Sequence, residues 1–436
     1  MHRVRRRLHS ESARQAADER FAIRTAEDVA RELGSMKGAL MKAGQLVSFV
    51  VESLPESAQQ ALSTLYSDAP PMAPDLAAEV VASALGARPE RLFLDWSREP
   101  VAAASIGQVH CAVDRMGRQL AVKVQYPGVG DAIEADLANA DVLYRLLASF
   151  SLKGLDTRAL VDELRTRMRD ELDYRVEAAN VRELRHAFAG HPFVRIPDVV
   201  GEPSRTVIQT EWVDGLGWNE FLARATPGAR ERAGEIVWRF AQHSIHRLGV
   251  FNGDPHPGNY RFGVDGDVTF LDFGMVKRWA PNEWERLQPS MDAIVVHRDP
   301  DRLVDAMVEA GFLRLGHGLD PQSVYDYVSA PYRPYLVDSF RFSRAFMRDT
   351  VERLVDVDGP HAAVIATIDM PASFVMLDRV VWGVSALLGK LEVEAPWRAM
   401  LLEYRLGAPP ATALGVVEQH WWWRSAPRTT MSEVNI

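Results

Sequence analysis

Apolar residues along this chain keep two periods. Residues 10 to about 65 read as helical: Ala, Glu, Arg and Leu dominate, and no proline precedes Pro55. Within them Leu40, Ala43, Val47 and Val50 form a stripe at helical spacing, and Gly44 marks a close approach or a local break. A proline-rich connector, Asp68 to Pro74, leads into a helix that starts at Pro74 or Asp75 and runs to about Leu85. After Gly86 the period shortens to two. Phe93 to Asp95, Val109 to Asp114 and Gln119 to Gln125 read as strands, the last two joined by the turn Asp114-Arg115-Met116-Gly117. Helical spacing returns from Asp156 to about Ala189, where Leu160, Leu164, Met168, Leu172 and Val176 repeat every four residues. That span is long for one globular helix, so a break is expected.

Thr206 to Val213 alternates again and runs into Asp214-Gly215, a strand entering a hinge. Helices are expected over Trp218 to Leu222 and Ala229 to Leu248, then from Trp279 to about Tyr404 with loops near Pro300, Gly316 to Pro321, and Gly359. Residues 408–436 read as a tail. Trp421, Trp422 and Trp423 are adjacent, so on a helix they cannot all face one way, and docking onto the body is the expected use.

Composition narrows this little. The chain has 436 residues, enough for two or three domain-sized units, with 47% hydrophobic and 25% charged residues. A net charge of −9 argues against general nucleic-acid binding. Cys111 is the single cysteine, which excludes an intramolecular disulfide and fits a reducing compartment. No apolar run approaches the roughly 20 residues of a membrane span. The basic Arg3, Arg5, Arg6 and Arg7 precede no apolar segment, so a secretory signal is not expected.

The chemistry concentrates in one stretch. Asp254 and Asn259 stand five positions apart, and Asp272 of Asp272-Phe273-Gly274 follows eighteen after Asp254. Phosphoryl transfer from a nucleotide needs a carboxylate at the attacking group, then an amide oxygen and a second carboxylate for magnesium. Protein kinases carry those roles in this order. Lys123 lies inside the apolar strand Ala121-Val122-Lys123-Val124, where an unpaired lysine is costly and a phosphate-holding one is useful. A helix carboxylate should pair with it, and Glu171 and Glu177 are the candidates. Asp170, Asp173 and Glu177 share one helix face. Backbone groups from Glu211 to Val213 would meet an adenine. Ala102, Ala103, Ala104 and Ser105 occupy the place of a glycine-rich phosphate loop, and alanine restricts the backbone there. His243 and His246 lack a third ligand and read as core or surface histidines.

Taken together these residues resemble the UbiB/ABC1 (ADCK/AarF) family of atypical protein-kinase-like proteins. The resemblance rests on Lys42-Ala43-Gly44-Gln45 (K-x-G-Q), the alanine-rich loop Ala102 to His110, Lys123, and Glu171-Leu172-Asp173 with Tyr174 and Glu177. It also rests on Gly253 to Asn259 and Asp272 to Gly274. It implies an α+β, protein-kinase-like two-lobe fold. Residues 1–90 would be a helical extension, 91–213 a β-rich N-lobe with inserted helices, 214–407 a helical C-lobe and 408–436 a tail. It further implies ATP and Mg2+ as cofactors, with Asp254 catalytic, Asn259 and Asp272 on the metal, and Lys123, Glu177 and the alanine-rich loop on the nucleotide. Lys42 and Gln45, surface residues when read alone, become with Glu171 and Asp173 a lid over the cleft.

Such a lid favours ATPase or small-molecule and lipid-linked chemistry over phosphorylation of large proteins. The family's link to isoprenoid quinone metabolism makes a lipid or quinone-like partner and peripheral membrane contact from a cytoplasmic location the matching expectations. The alternative is a nucleotide-gated switch with little turnover. Asn252 departs from the histidine the family often carries two residues before the catalytic Asp. Nothing in the sequence signals an oligomeric state.

Overall fold

Residues 72–104, 106–138, 169–356, 358–369 and 371–425 are described by a computed structural model of the chain. Pro74 opens helix α1 (Pro74–Leu85) at a position whose N–H needs no partner, and Gly86 ends it in the left-handed region at φ 82°. A single turn, α2 (Pro89–Leu92), leads to the main sheet. Its strands are β1 (Asp95–Trp96), β2 (Ala102–Ala104), β3 (Gly107–Val113), β4 (Gln119–Gln125) and β6 (Val207–Glu211). All pairings are antiparallel, in the order β1-β3-β4-β6, with β2 also on β3. The β3–β4 hairpin turns where the sequence predicts. Gly117 adopts φ 82°, and the Asp114 carboxylate accepts from the amides of Met116 and Arg118.

Strand alternation then divides β4 between two environments. Leu120, Val122 and Val124 are buried with Ala77 and Val81 of α1. Lys123 points to the other face, opposite Val109 and Ile208 in the ladders. That face is covered by α3 (Val129–Ala138) and α4 (Tyr174–Ala187), through Ile133, Leu172, Tyr174 and Ala178. The expected long helix is broken at Asp173, whose carboxylate caps α4 by accepting from the Arg175 amide. Its earlier part, residues 156–168, lies outside the described residues, as do the helices expected before residue 72.

The larger, helical part begins with α5 (Trp218–Arg224) and α6 (Pro227–His243), extended by a π-turn over Ser244–Leu248. Helix α6 is buried on nearly every side, with Trp238 and Ile236 inaccessible. Two small sheets follow. One pairs β7 (Val250–Asn252) with β10 (Val276–Arg278); the other joins β8 (Tyr260–Phe262) and β9 (Val268–Phe270) to β5 (Val194–Arg195). Beyond them come α7 (Glu283–Asp292), α8 (Pro300–Glu309), α9 (Pro321–Val328), α10 (Arg344–Val355), α11 (Ala362–Thr367), α12 (Ala372–Leu391) and α13 (Trp397–Leu406). A short ladder of β11 (Phe340–Arg341) and β12 (Glu394–Ala395) interrupts this helical run.

Residues 413–425 are a helix, α14 (Ala413–Ser425), where the sequence suggests only a tail. Trp421 is buried against Phe188 and donates to the Ala189 carbonyl at 3.0 Å, whereas Trp423 is 57% exposed. Glu418 points inward to the buried guanidinium of Arg239 (3.0 Å), which also meets Glu235 (2.7 Å) and Glu403 (2.9 Å). No described helix is long and apolar enough to cross a membrane.

Candidate functional site

Four chain segments converge between the main sheet and the helical part. From β4, Lys123 Nζ donates to both oxygens of Glu177 on α4, at 3.0 and 2.9 Å, and to Asp272 Oδ2 at 3.1 Å. Burial works against the lysine's charge, but the carboxylates of Asp272 and Glu177 outweigh it and hold the ammonium well above its ordinary range. Glu177 thus reaches the lysine. Glu171, also buried, lies instead beside Gly274, with its Cγ 3.7 Å from where a Cβ on that glycine would sit. Asp173 caps its helix and pairs with Arg175.

The Asp-Phe-Gly stretch follows β9. Asp272 Oδ1 accepts from the Gly274 amide at 2.9 Å, fixing the carboxylate in a tight turn. Phe273 is fully buried, and its carbonyl accepts from Asn180 Nδ2 on α4 at 2.9 Å. Asn180 in turn accepts from Arg278. The helix that carries Glu177 is therefore tied to the strand end that carries Asp272.

Between β7 and β8, Asp254 and Asn259 face each other. Asn259 Nδ2 donates to Asp254 Oδ2 at 2.9 Å and to its carbonyl at 3.2 Å. Asn252 joins the two acidic segments, its amide donating to the Asp272 carbonyl (2.8 Å) and its oxygen accepting from the Asp254 amide (2.9 Å).

The alanine-rich segment opens as β2, with Ala102, Ala103 and Ala104 opposite Val109, Gln108 and Gly107. At Gly107 a Cβ would sit 2.3 Å from the Val124 carbonyl oxygen and 2.9 Å from the Tyr174 hydroxyl, so only glycine allows this turn its approach to β4. The Tyr174 ring lies 5.1 Å from Lys123 Nζ, and its hydroxyl is buried with no partner among the described residues. Burial raises its pKa above the ordinary phenol range. Glu211 ends β6 with an exposed side chain accepting from the Asp198 amide, and the chain leaves the sheet through Trp212 and Val213. Lys42, Gln45 and Ser105 lie outside the described residues.

One participant carries no motif. Arg379 of α12 donates from Nε to the Gly253 carbonyl and from its terminal nitrogen to Asp254 Oδ1, both at 2.8 Å. Among the described residues no three His, Cys, Asp or Glu side chains are grouped to hold a metal ion. His243 bonds Glu418 and His246 bonds Gln242, as expected of core histidines.

Comparison with known proteins follows the same outline. A family model described as the ABC1 atypical kinase-like domain matches residues 64–307. Among curated proteins, the chain is 34% identical over 283 residues to the chloroplastic Activity of BC1 complex kinase 8 of Arabidopsis thaliana, covering 63% of this chain and 37% of the relative. It is 32% identical over 312 residues to an uncharacterized chloroplastic aarF domain-containing protein kinase of the same plant, covering 70% and 43%. The chain thus spans less than half the length of these relatives. Among solved structures, Rv3197 of Mycobacterium tuberculosis in complex with erythromycin superposes with a TM-score of 0.63 at 31% identity, covering 90% of this chain and 96% of that one. The family match takes in more than half of the 436 residues and spans Lys123 through Asp272, and the chain belongs to the ABC1 atypical kinase-like family.

Proposed function

We propose that this chain binds ATP with magnesium and catalyses phosphoryl transfer from it, to water or to a small or lipid-linked acceptor. The observation that carries the reading is the joint arrangement of Lys123, Glu177 and Asp272 opposite Asp254 and Asn259. On this reading the main sheet with α1 to α4 serves as the small lobe and residues 214–407 as the large one. Adenine would sit against the backbone at Glu211 to Val213, and β2 with Ser105 would cover the phosphates. Lys123 would steady phosphate oxygens as a point charge, with Glu177 keeping it in place. Asp254 would orient the attacking hydroxyl and take its proton.

The donor set suits magnesium. Asn259 spends its amide nitrogen on Asp254, which turns its amide oxygen away from that carboxylate, and Asp272 supplies a carboxylate. Two hard oxygen donors completed by phosphate and water are what this ion takes in nucleotide sites. When bound, it neutralises charge on the phosphates.

A lid of Lys42 and Gln45, as the resemblance implies, would favour a small acceptor, and Glu171 lies at the Gly274 turn where such a lid would close. A quinone-like phenol or a membrane lipid is the proposed class, met at the membrane surface by a chain otherwise in the cytoplasm. Steady phosphate release by the purified chain tests the reading, with quinone-like phenols and anionic vesicles added in turn. Magnesium-dependent release stimulated by either is expected. Tight ATP binding with negligible release under all conditions would replace the enzyme by a nucleotide-gated switch.

A further inference from the structure

Helix α12 lies outside the stretch that the family model matches, yet it touches three consecutive residues of the catalytic loop. Met376 Cε would lie 2.5 Å from a Cβ on Gly253. Arg379 bonds the Gly253 carbonyl and the Asp254 carboxylate. Gly383 lies beneath Pro255, whose Cγ would be 2.3 Å from a Cβ there. Residues 376, 379 and 383 are spaced i, i+3, i+7 and so share one face of the helix. Glycine at 253 and 383 lets loop and helix approach closely enough for the guanidinium to reach both acceptors. The contact is well shielded: the Arg379 side chain is 10% exposed and that of Asp254 20%.

The two oxygens of Asp254 are thereby each held by a different donor, Oδ1 by Arg379 and Oδ2 by Asn259. A carboxylate oxygen has two lone pairs, so each keeps one for a substrate hydroxyl or water. The arrangement fixes the rotamer of Asp254 without consuming its ability to accept. It also sets a cation beside a carboxylate that must work near a polyphosphate. Charge-assisted bonds of this kind are stronger than neutral ones, and a fork that grips side chain and backbone together defines direction as well as distance.

We propose that Arg379 is the positioning residue for Asp254, and that the catalytic loop of this chain is complete only when α12 is docked on it. This rests on the reading of Asp254 as the group that orients the acceptor. Because Arg379 acts through Asp254, its removal should lower kcat and leave ATP affinity in place.

The test uses the full chain and follows magnesium-dependent phosphate release against ATP concentration, for the parent, Arg379→Ala, Arg379→Lys and Asp254→Asn. Arg379→Ala is expected to lose about 100-fold in kcat, the scale of a misplaced catalytic group. Its KM for ATP should stay within about twofold of the parent. Added guanidinium ion should restore part of that kcat and do nothing for Asp254→Asn. Arg379→Lys keeps the charge but cannot reproduce the fork, and should lose about tenfold. Parent-like kcat in Arg379→Ala, or a loss confined to KM, overturns the inference. Should the alanine variant fail to fold, parent-like kcat in Arg379→Lys overturns it equally. Turnover retained by Asp254→Asn, or absent from the parent, overturns the reading of Asp254 and this inference with it, whereas a silent Arg379→Ala beside an inactive Asp254→Asn overturns this inference alone.

Discussion

Replacing Asp272 by Asn is expected to reduce magnesium-dependent ATP turnover by about 100-fold or more, on the scale of a lost electrostatic contact in a preorganised site. The change preserves shape: an amide oxygen can still accept from the Gly274 amide, the bond that sets the turn after β9. What it removes is the negative charge. Among the described residues Lys123 would then keep Glu177 as its one carboxylate, and one of the two hard donors for magnesium would become neutral. Fold should survive, because the carbonyl contacts of the segment to Asn180 and Asn252 are made by Phe273 and Asp272 main-chain oxygens. Turnover and its magnesium dependence, measured beside a circular-dichroism melt, check this. A variant that hydrolysed ATP like the parent would remove Asp272 from the site.

The second large effect is on stability. Arg239→Met should destabilise the chain by about 3–5 kcal/mol, the range for removing one partner from a buried ionic cluster. Arg239 is fully buried, and Glu235, Glu403 and Glu418 all turn toward it from α6, α13 and α14. Without the guanidinium, those carboxylates face one another across a largely buried interface. The same cluster predicts acid sensitivity. Burial opposes the charge on Glu418, but the hydrogen bond from His243 Nδ1 at 2.9 Å and the buried guanidinium of Arg239 prevail, holding its carboxyl below the usual range. A depressed folded-state pKa adds stability above the unfolded value near 4.5, and that stability drains away as pH falls toward the folded value. The midpoint of urea unfolding at pH 7 and pH 4 measures both effects. An unchanged midpoint at pH 7 would show that the cluster does not hold α14 to the body.

What could be read beforehand follows the range over which each feature is encoded. The β3–β4 hairpin was legible because its alternation and its Asp-to-Gly turn lie within nineteen residues of chain, from Gly107 to Gln125. Lys123 announced itself as a charge in an apolar strand, and Asp254, Asn259 and Asp272 as a spacing. The partner of Lys123 was not decidable between Glu171 and Glu177, because the choice depends on where α4 begins. The cap at Asp173 sets that start and the rotation of everything after it.

Arg379 left no trace in the sequence. It lies 125 residues from Asp254, and its surroundings follow ordinary helical spacing. The two-residue strands β11 and β12 are too short to alternate. Helix α14 was hidden for a different reason: it turns Glu418 inward and Trp423 outward, so its polar pattern contradicts its docking. Tyr174 is visible only as part of the E-x-D segment, and that its buried hydroxyl meets no partner among the described residues is a property of packing.

If Lys123, Glu177 and Asp272 form a nucleotide site with Asp254 and Asn259, the chain should take up ATP. Calorimetric titration of ATP into the purified full chain, with and without magnesium, tests it most directly. Saturable binding of one nucleotide per chain, strengthened by magnesium, is the expected result. Absence of saturable binding in the presence of magnesium would contradict it.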